Sequence, residues 1–78
     1  MRLTELPLHR KGCITRLHTV GNEDGVAQRL QDLGFVPGET VEVVAYAPFA
    51  REPLVVQVAR TRFALRRAEA QRVEIEAV

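Results

Sequence analysis

The sequence predicts a small, mostly β protein: a partly open five-stranded barrel with one short helix inserted after the first strand. Three observations lead there. Apolar and polar residues alternate over short runs in the second half of the chain, the period of half-buried strands. One stretch, Val26 to Leu33, instead repeats its apolar residues at helical spacing. Turn signals fall close together in a chain of 78 residues, so the strands must be short. Closing a sheet hides edges that would otherwise recruit other chains, which favours a barrel over an open sheet.

The elements follow in order. "MRLTELPLHRKG" carries Leu3, Leu6 and Leu8 around Pro7 and reads as a hook that lays leucines on the core, with a turn near His9 to Gly12. "CITRLHTV", Cys13 to Val20, is the first strand. Ile14 and Leu17 are three apart, which breaks a period of two and predicts a bulge or bend. "GNEDG" is a turn and helix start in which Asn22 or Asp24 can cap the helix. Val26, Leu30 and Leu33 form one apolar stripe, and Gly34 is placed to stop the helix in a left-handed conformation. Pro37 and Gly38 suit the two central positions of a type II turn.

Four strands complete the set. "TVEVVAYA" places Val41, Val43, Ala45 and Ala47 on one face, with Glu42, Val44 and Tyr46 on the other. "PLVVQVA" turns Leu54, Val56 and Val58 inward, and "RFALR" turns Phe63 and Leu65 inward. "RVEIEAV" turns Val73, Ile75 and Ala77 inward. Between the last two, Arg67 to Ala70 reads as a single helical turn.

Composition narrows the function. The net charge is +1 and ten arginines with Lys11 are nearly balanced by acids, so global charge does not call for nucleic acid. Cys13 is the single cysteine, which suits the reducing cytoplasm rather than a disulfide-rich secreted domain. No apolar run approaches the roughly 20 residues of a membrane helix. The chain reads as one domain over residues 1–78. At this size only about 60% of the unfolded surface can be buried, so the core is thin.

Little in the sequence suggests catalysis. There is no serine, and Cys13 and His18 fall on opposite faces of an unbulged strand, which cannot make them a nucleophile–base pair; only a bulge between them could bring the two together, and the bland reading is a small buried or half-buried cysteine. The glycines of "LGFVPG" follow a helix and precede a strand, the reverse of a phosphate loop. Gly34, Pro37 and Gly38 are therefore read as structural. His9 and His18 are the first candidates for metal ligands, Zn²⁺ or Fe²⁺, at an incidental surface site or one shared between chains. No pair has a dedicated ligand spacing. "RTRFALRR" gathers Arg60, Arg62, Arg66 and Arg67, which makes either an anionic partner surface or a solvated face neutralised by Glu69, Glu74 and Glu76. Nucleic-acid binding would want stacking aromatics among them. "AYAPFAREPL" carries Tyr46, Pro48, Phe49 and Pro53 between two strands, a stiff, partly apolar loop suited to protein contact or to folding over the barrel mouth.

These residues carry a resemblance. "LTELPL", "RLQDLGFVPGETVEVV", "APFAREPL" and "FALRRAEA", in that order and spacing, resemble the FeoA family, ferrous iron transport protein A, over nearly the whole chain. The resemblance implies an SH3-like small barrel, a single FeoA-like domain, in the bacterial cytoplasm. It implies a non-enzymatic accessory or regulatory role in Fe²⁺ uptake, through contact with the cytosolic part of a FeoB-type membrane permease that carries a GTPase domain. No cofactor is required on this reading, no nucleic acid is expected, the chain does not insert in the membrane, and self-association is compatible with it. The alternatives are a transition-metal sensor or carrier, and a nucleic-acid-binding small barrel.

The chain departs from the family pattern in loops. His9 and Arg60 stand where glycine is common, and "AREP" replaces Gly-Asp-Pro with one extra residue, which leaves the loop from Phe49 to Glu52 open. The expected partner surface is Phe35, Val36, Tyr46, Pro48, Phe49, Arg51, Arg66 and Arg67.

Overall fold

The structure is a computed structural model that describes residues 1–19, 21, 25–46 and 52–78. A 3₁₀ turn, Leu3–Glu5, precedes β1, Lys11–Leu17, and helix α1, Gly25–Leu33. Then come β2, Thr40–Tyr46, β3, Leu54–Val58, β4, Thr61–Leu65, the short helix α2, Arg67–Ala70, and β5, Val73–Ala77. All paired strands are antiparallel, in the order β4-β3-β2-β1-β5. The five strands and the helix after the first are as the sequence predicts. Among the described residues β4 and β5 do not pair, so the sheet curls around its core without closing.

The predicted joint forms by two linked devices. At the end of α1, Gly34 has φ +109° and its N–H donates to the Gln31 carbonyl at 3.0 Å, while the Phe35 N–H donates to the Leu30 carbonyl at 3.0 Å. This is a Schellman cap, and its usual apolar clasp is present because Leu30 and Phe35 are both core residues. Gly38 then takes φ +95°, and the Glu39 N–H donates to the Val36 carbonyl at 3.1 Å, a type II turn. Gly38 N–H to the Ile14 carbonyl and Ile14 N–H to the Glu39 carbonyl, 2.8 and 2.9 Å, sew this turn to β1.

Two bulges set which side chains face inward. The one predicted from the Ile14–Leu17 spacing lies between Ile14 and Arg16 against β5. A second, between Val43 and Ala45, changes the phase of β2. Val43 pairs with buried Val56, but beyond the bulge it is Tyr46 that pairs with buried Leu54. Tyr46 therefore packs against the core, and its hydroxyl donates to the Leu6 carbonyl at 3.5 Å. The expected outward Tyr46 is corrected by that one extra residue. Ala47 lies outside the described residues.

The core joins the hook, the helix and the inner face of the bent sheet: Leu3, Leu6, Ile14, Leu30, Phe35, Leu65, Val73 and Ile75 are all buried. Ala27 is buried beside the predicted stripe, whereas Val26 and Leu33 are half-buried. Leu8 is 41% exposed, because the chain reverses at Pro7–Arg10 before Leu8 can reach the core. Ala77 is exposed at the strand end, not inward. Gly12 is buried, and a Cβ there would lie 2.8 Å from Ile75 Cδ1, so a side chain at this position has to displace the end of the buried Ile75.

Candidate partner-binding cleft

Distant parts of the chain meet at a cleft of about 580 Å³ lined by Val26, Arg29, Pro53, Ala64, Arg66, Ala68 and Glu69. Val26 and Arg29 are three apart and share one side of α1. Pro53 precedes β3, Ala64 is exposed on β4, and the rest belong to the start of α2. Small residues at 64 and 68 leave the space open.

Glu69 holds the cleft together. Its Oε2 accepts from Arg29 Nη1 at 2.8 Å and its Oε1 accepts the Arg66 N–H at 2.8 Å, so one carboxylate ties α1 to the first turn of α2. The loop before β3 is tied to the same place, because Glu52 Oε1 accepts the Arg67 N–H at 2.9 Å. An acidic side chain at a helix start also complements the helix dipole. The cleft thus offers apolar walls and the exposed Arg66 head. Its carboxylate is already committed to two hydrogen bonds, and its lining holds no nucleophile.

The sequence-predicted partner residues divide. Arg66 lines the cleft, and Arg67 is exposed beside it. Val36 is half-buried in the type II turn. Phe35 is corrected: it is 0% exposed, drawn inside by the Schellman clasp and set against Phe63 with ring centroids 6.0 Å apart, so its side chain cannot meet a partner. Tyr46 is half-buried against the core. Pro48, Phe49 and Arg51 lie outside the described residues, as do the capping candidates Asn22 and Asp24. Arg29, Glu69, Val26 and Ala68 escaped the sequence reading. The one local signal for them was Glu69 three residues after Arg66, the spacing of a helix-capping carboxylate.

The metal candidates sit apart. His9 and His18 flank opposite ends of β1. His9 is exposed with its Nδ1 4.0 Å from Glu42, whereas His18 Nε2 pairs with the Glu74 carboxylate. That hydrogen bond from His18 is the main cause holding the Glu74 carboxyl below its usual range, with the charges of His18, the N-terminus and Arg2 adding to it. Among the described residues no cluster of three or more His, Cys, Asp or Glu could hold a metal ion. Cys13 pairs across the sheet with Thr40 and Glu76, whereas His18 lies past the strand end, so the two are not brought together.

Comparison with known proteins gives these features a setting. The model of the FeoA domain matches residues 1–77. The chain belongs to the FeoA domain family. It is 49% identical to the zinc-complexed FeoA of Stenotrophomonas maltophilia, described as a procaryotic SH3 domain protein, with a TM-score of 0.88 over 97% of this chain and 89% of that one. It is 35% identical to iron(II) transport protein A of Clostridium thermocellum, also at TM-score 0.88, over all of this chain and 46% of that one. A curated relative is the Fe(2+) transport protein A/Fe(2+) transporter FeoB fusion protein of Porphyromonas gingivalis, 33% identical over all 78 residues. The chain spans 9% of that fusion's length. The SH3-like fold and the family are therefore as the sequence implied.

Proposed function

We propose that this protein is a non-catalytic accessory or regulatory component of bacterial ferrous iron uptake that works by binding the cytosolic part of a FeoB-type permease. One observation carries the reading: a relative of this FeoA domain is fused to a FeoB transporter in a single polypeptide. Fusion holds two modules at high effective concentration, and it is useful where separate chains otherwise have to find each other. The cleft supports it by offering apolar walls with an arginine rim and no catalytic group. Among the described residues no helix is long and apolar enough to cross a membrane; on the proposed reading the chain meets the permease from the cytoplasm. The test is titration of the purified chain against that cytosolic part, with and without guanine nucleotide. Saturable binding is expected, and its absence in both states refutes the reading.

A transition-metal role has one point in its favour, the zinc in the Stenotrophomonas relative. With His9 and His18 at opposite ends of β1, a site that uses both draws them from two copies. Calorimetry with Zn²⁺ or Fe²⁺ decides it: stoichiometric binding lost in His9→Ala/His18→Ala supports the site, and no binding by the parent ends it.

A further inference from the structure

The two edges of the sheet differ. The outer edge of β5 is covered by the N-terminus: the Ile75 N–H donates to the Met1 carbonyl at 2.7 Å, the Met1 ammonium donates to the Ile75 carbonyl at 3.0 Å, and Arg2 bridges to Glu74. Among the described residues no such cover lies on β4. Its two-residue turn makes Val58 and Thr61 the closing hydrogen-bonded pair, so Thr61, Phe63 and Leu65 direct their backbone groups to β3. Arg62 and Ala64 alternate with them and direct N–H and C=O away from the sheet. Among the described residues nothing bonds to these groups.

The side chains along that edge define what fits it. Arg60, Arg62, Arg66 and Arg67 are exposed, and among the described residues none of their guanidinium groups pairs with a carboxylate. Of the acids expected to neutralise them, Glu69 is engaged by Arg29 and Glu74 by His18 and Arg2, while Glu76 is exposed on β5 and forms no ion pair with these arginines. Ala64 belongs both to this edge and to the cleft wall. A strand laid beside β4 would satisfy the free backbone groups, meet arginines with carboxylates, and set an apolar side chain towards the cleft.

We propose that the outer edge of β4 receives an extended, acidic segment of the partner as a sixth strand, with the cleft taking one of its apolar side chains. The proposal rests on the permease reading for the identity of the partner. A second copy of this chain does not fit: antiparallel pairing of β4 with itself sets arginine rows against each other, which is unfavourable, and the acidic strand β5 is already covered. Strand addition takes its affinity from main-chain hydrogen bonds and its specificity from alternate side chains.

The test uses the full chain and the purified cytosolic part of a FeoB-type permease. Ala64→Pro removes an outward N–H without removing a bond to β3, a change edge strands tolerate. Arg62→Glu/Arg66→Glu reverses the charge. Circular dichroism checks each fold, and amide hydrogen exchange of the parent with and without the permease domain serves even if Ala64→Pro fails to fold. The parent is expected to bind, each variant to bind about tenfold or more weakly, and the Arg62 and Ala64 amides to gain protection. Binding by the parent with neither protection nor loss in the charge-reversed variant overturns the edge and leaves the permease reading intact. No binding by the parent overturns both. Displacement of the bound permease domain by single-stranded RNA at low salt overturns the edge as a site for a protein strand and assigns it to nucleic acid.

Discussion

Replacing Phe35 by alanine separates a core residue from a contact residue. The side chain is 0% exposed, so the substitution removes its whole buried surface, worth about 1.5–3 kcal/mol in transfer alone. The tilted pair with Phe63 adds about 0.5–1.5 kcal/mol. A cavity remains where Leu30 and Phe35 clasp the helix end, and together these fall within the range of about 3–5 kcal/mol seen for such truncations. At about 0.05–0.15 kcal/mol per residue the whole domain has only about 4–12 kcal/mol to lose. Phe35→Ala should therefore unfold at much lower urea, or fail to fold at 37 °C. Phe35→Leu, which keeps most of the volume, should cost far less and bind the permease domain as the parent does. Urea melts followed by circular dichroism, with m-values compared, measure both. A Phe35→Ala protein that melts at the parent midpoint yet loses partner binding would refute the placement of this ring in the core.

Three further expectations concern the backbone and the charges. His9 and Arg60 have φ +64° and +66°, and left-handed backbone costs a side-chain-bearing residue about 1–2 kcal/mol. After the entropy that glycine loses on folding, about 0.5–1 kcal/mol, His9→Gly and Arg60→Gly should each raise stability slightly, read as a higher thermal midpoint; a fall in both would contradict the turn geometry. Gly12→Ala should cost about 1–3 kcal/mol, because its methyl meets the buried Ile75 Cδ1, which must shift within the packed core. Gly25→Ala, which meets nothing within 4 Å, serves as its control in the same melts. The Glu74 carboxyl is held down in the fold mainly by His18, so its contribution is present above the ordinary glutamate range and is lost as pH falls through its lowered value. Acid titration of stability should therefore be shallower in Glu74→Gln than in the parent, and identical slopes would remove this pair from the account.

Local signals were legible in the sequence, and assembled ones were not. The helix stripe, the stop at Gly34, the turn at Pro37–Gly38 and the first bulge each follow from a few neighbouring residues whose chemistry has one good solution. The second bulge has no such mark. "VEVVAY" alternates about equally well in either phase, since Val44 suits a half-buried site on either face, and so the side of Tyr46 was misjudged. Phe35 stands two residues beyond the helix, where its direction depends on the cap hydrogen bond to Leu30. The cleft was illegible for a different reason. Its lining comes from α1, β4, α2 and the residue before β3, and the link between them, Glu69 with Arg29, spans 40 positions in the chain. Arg66 stands in a visible run of arginines, but what makes the run notable is that two of its expected acidic partners, Glu69 and Glu74, are bound elsewhere.

The central claim is that this FeoA-family chain acts by direct contact with a FeoB-type permease. Titration of the purified parent against the permease's cytosolic part, with and without guanine nucleotide, tests it most directly. The account predicts saturable, stoichiometric binding in at least one nucleotide state, weakened by Arg62→Glu/Arg66→Glu. No binding in either state, by a chain whose circular dichroism shows it folded, would contradict it.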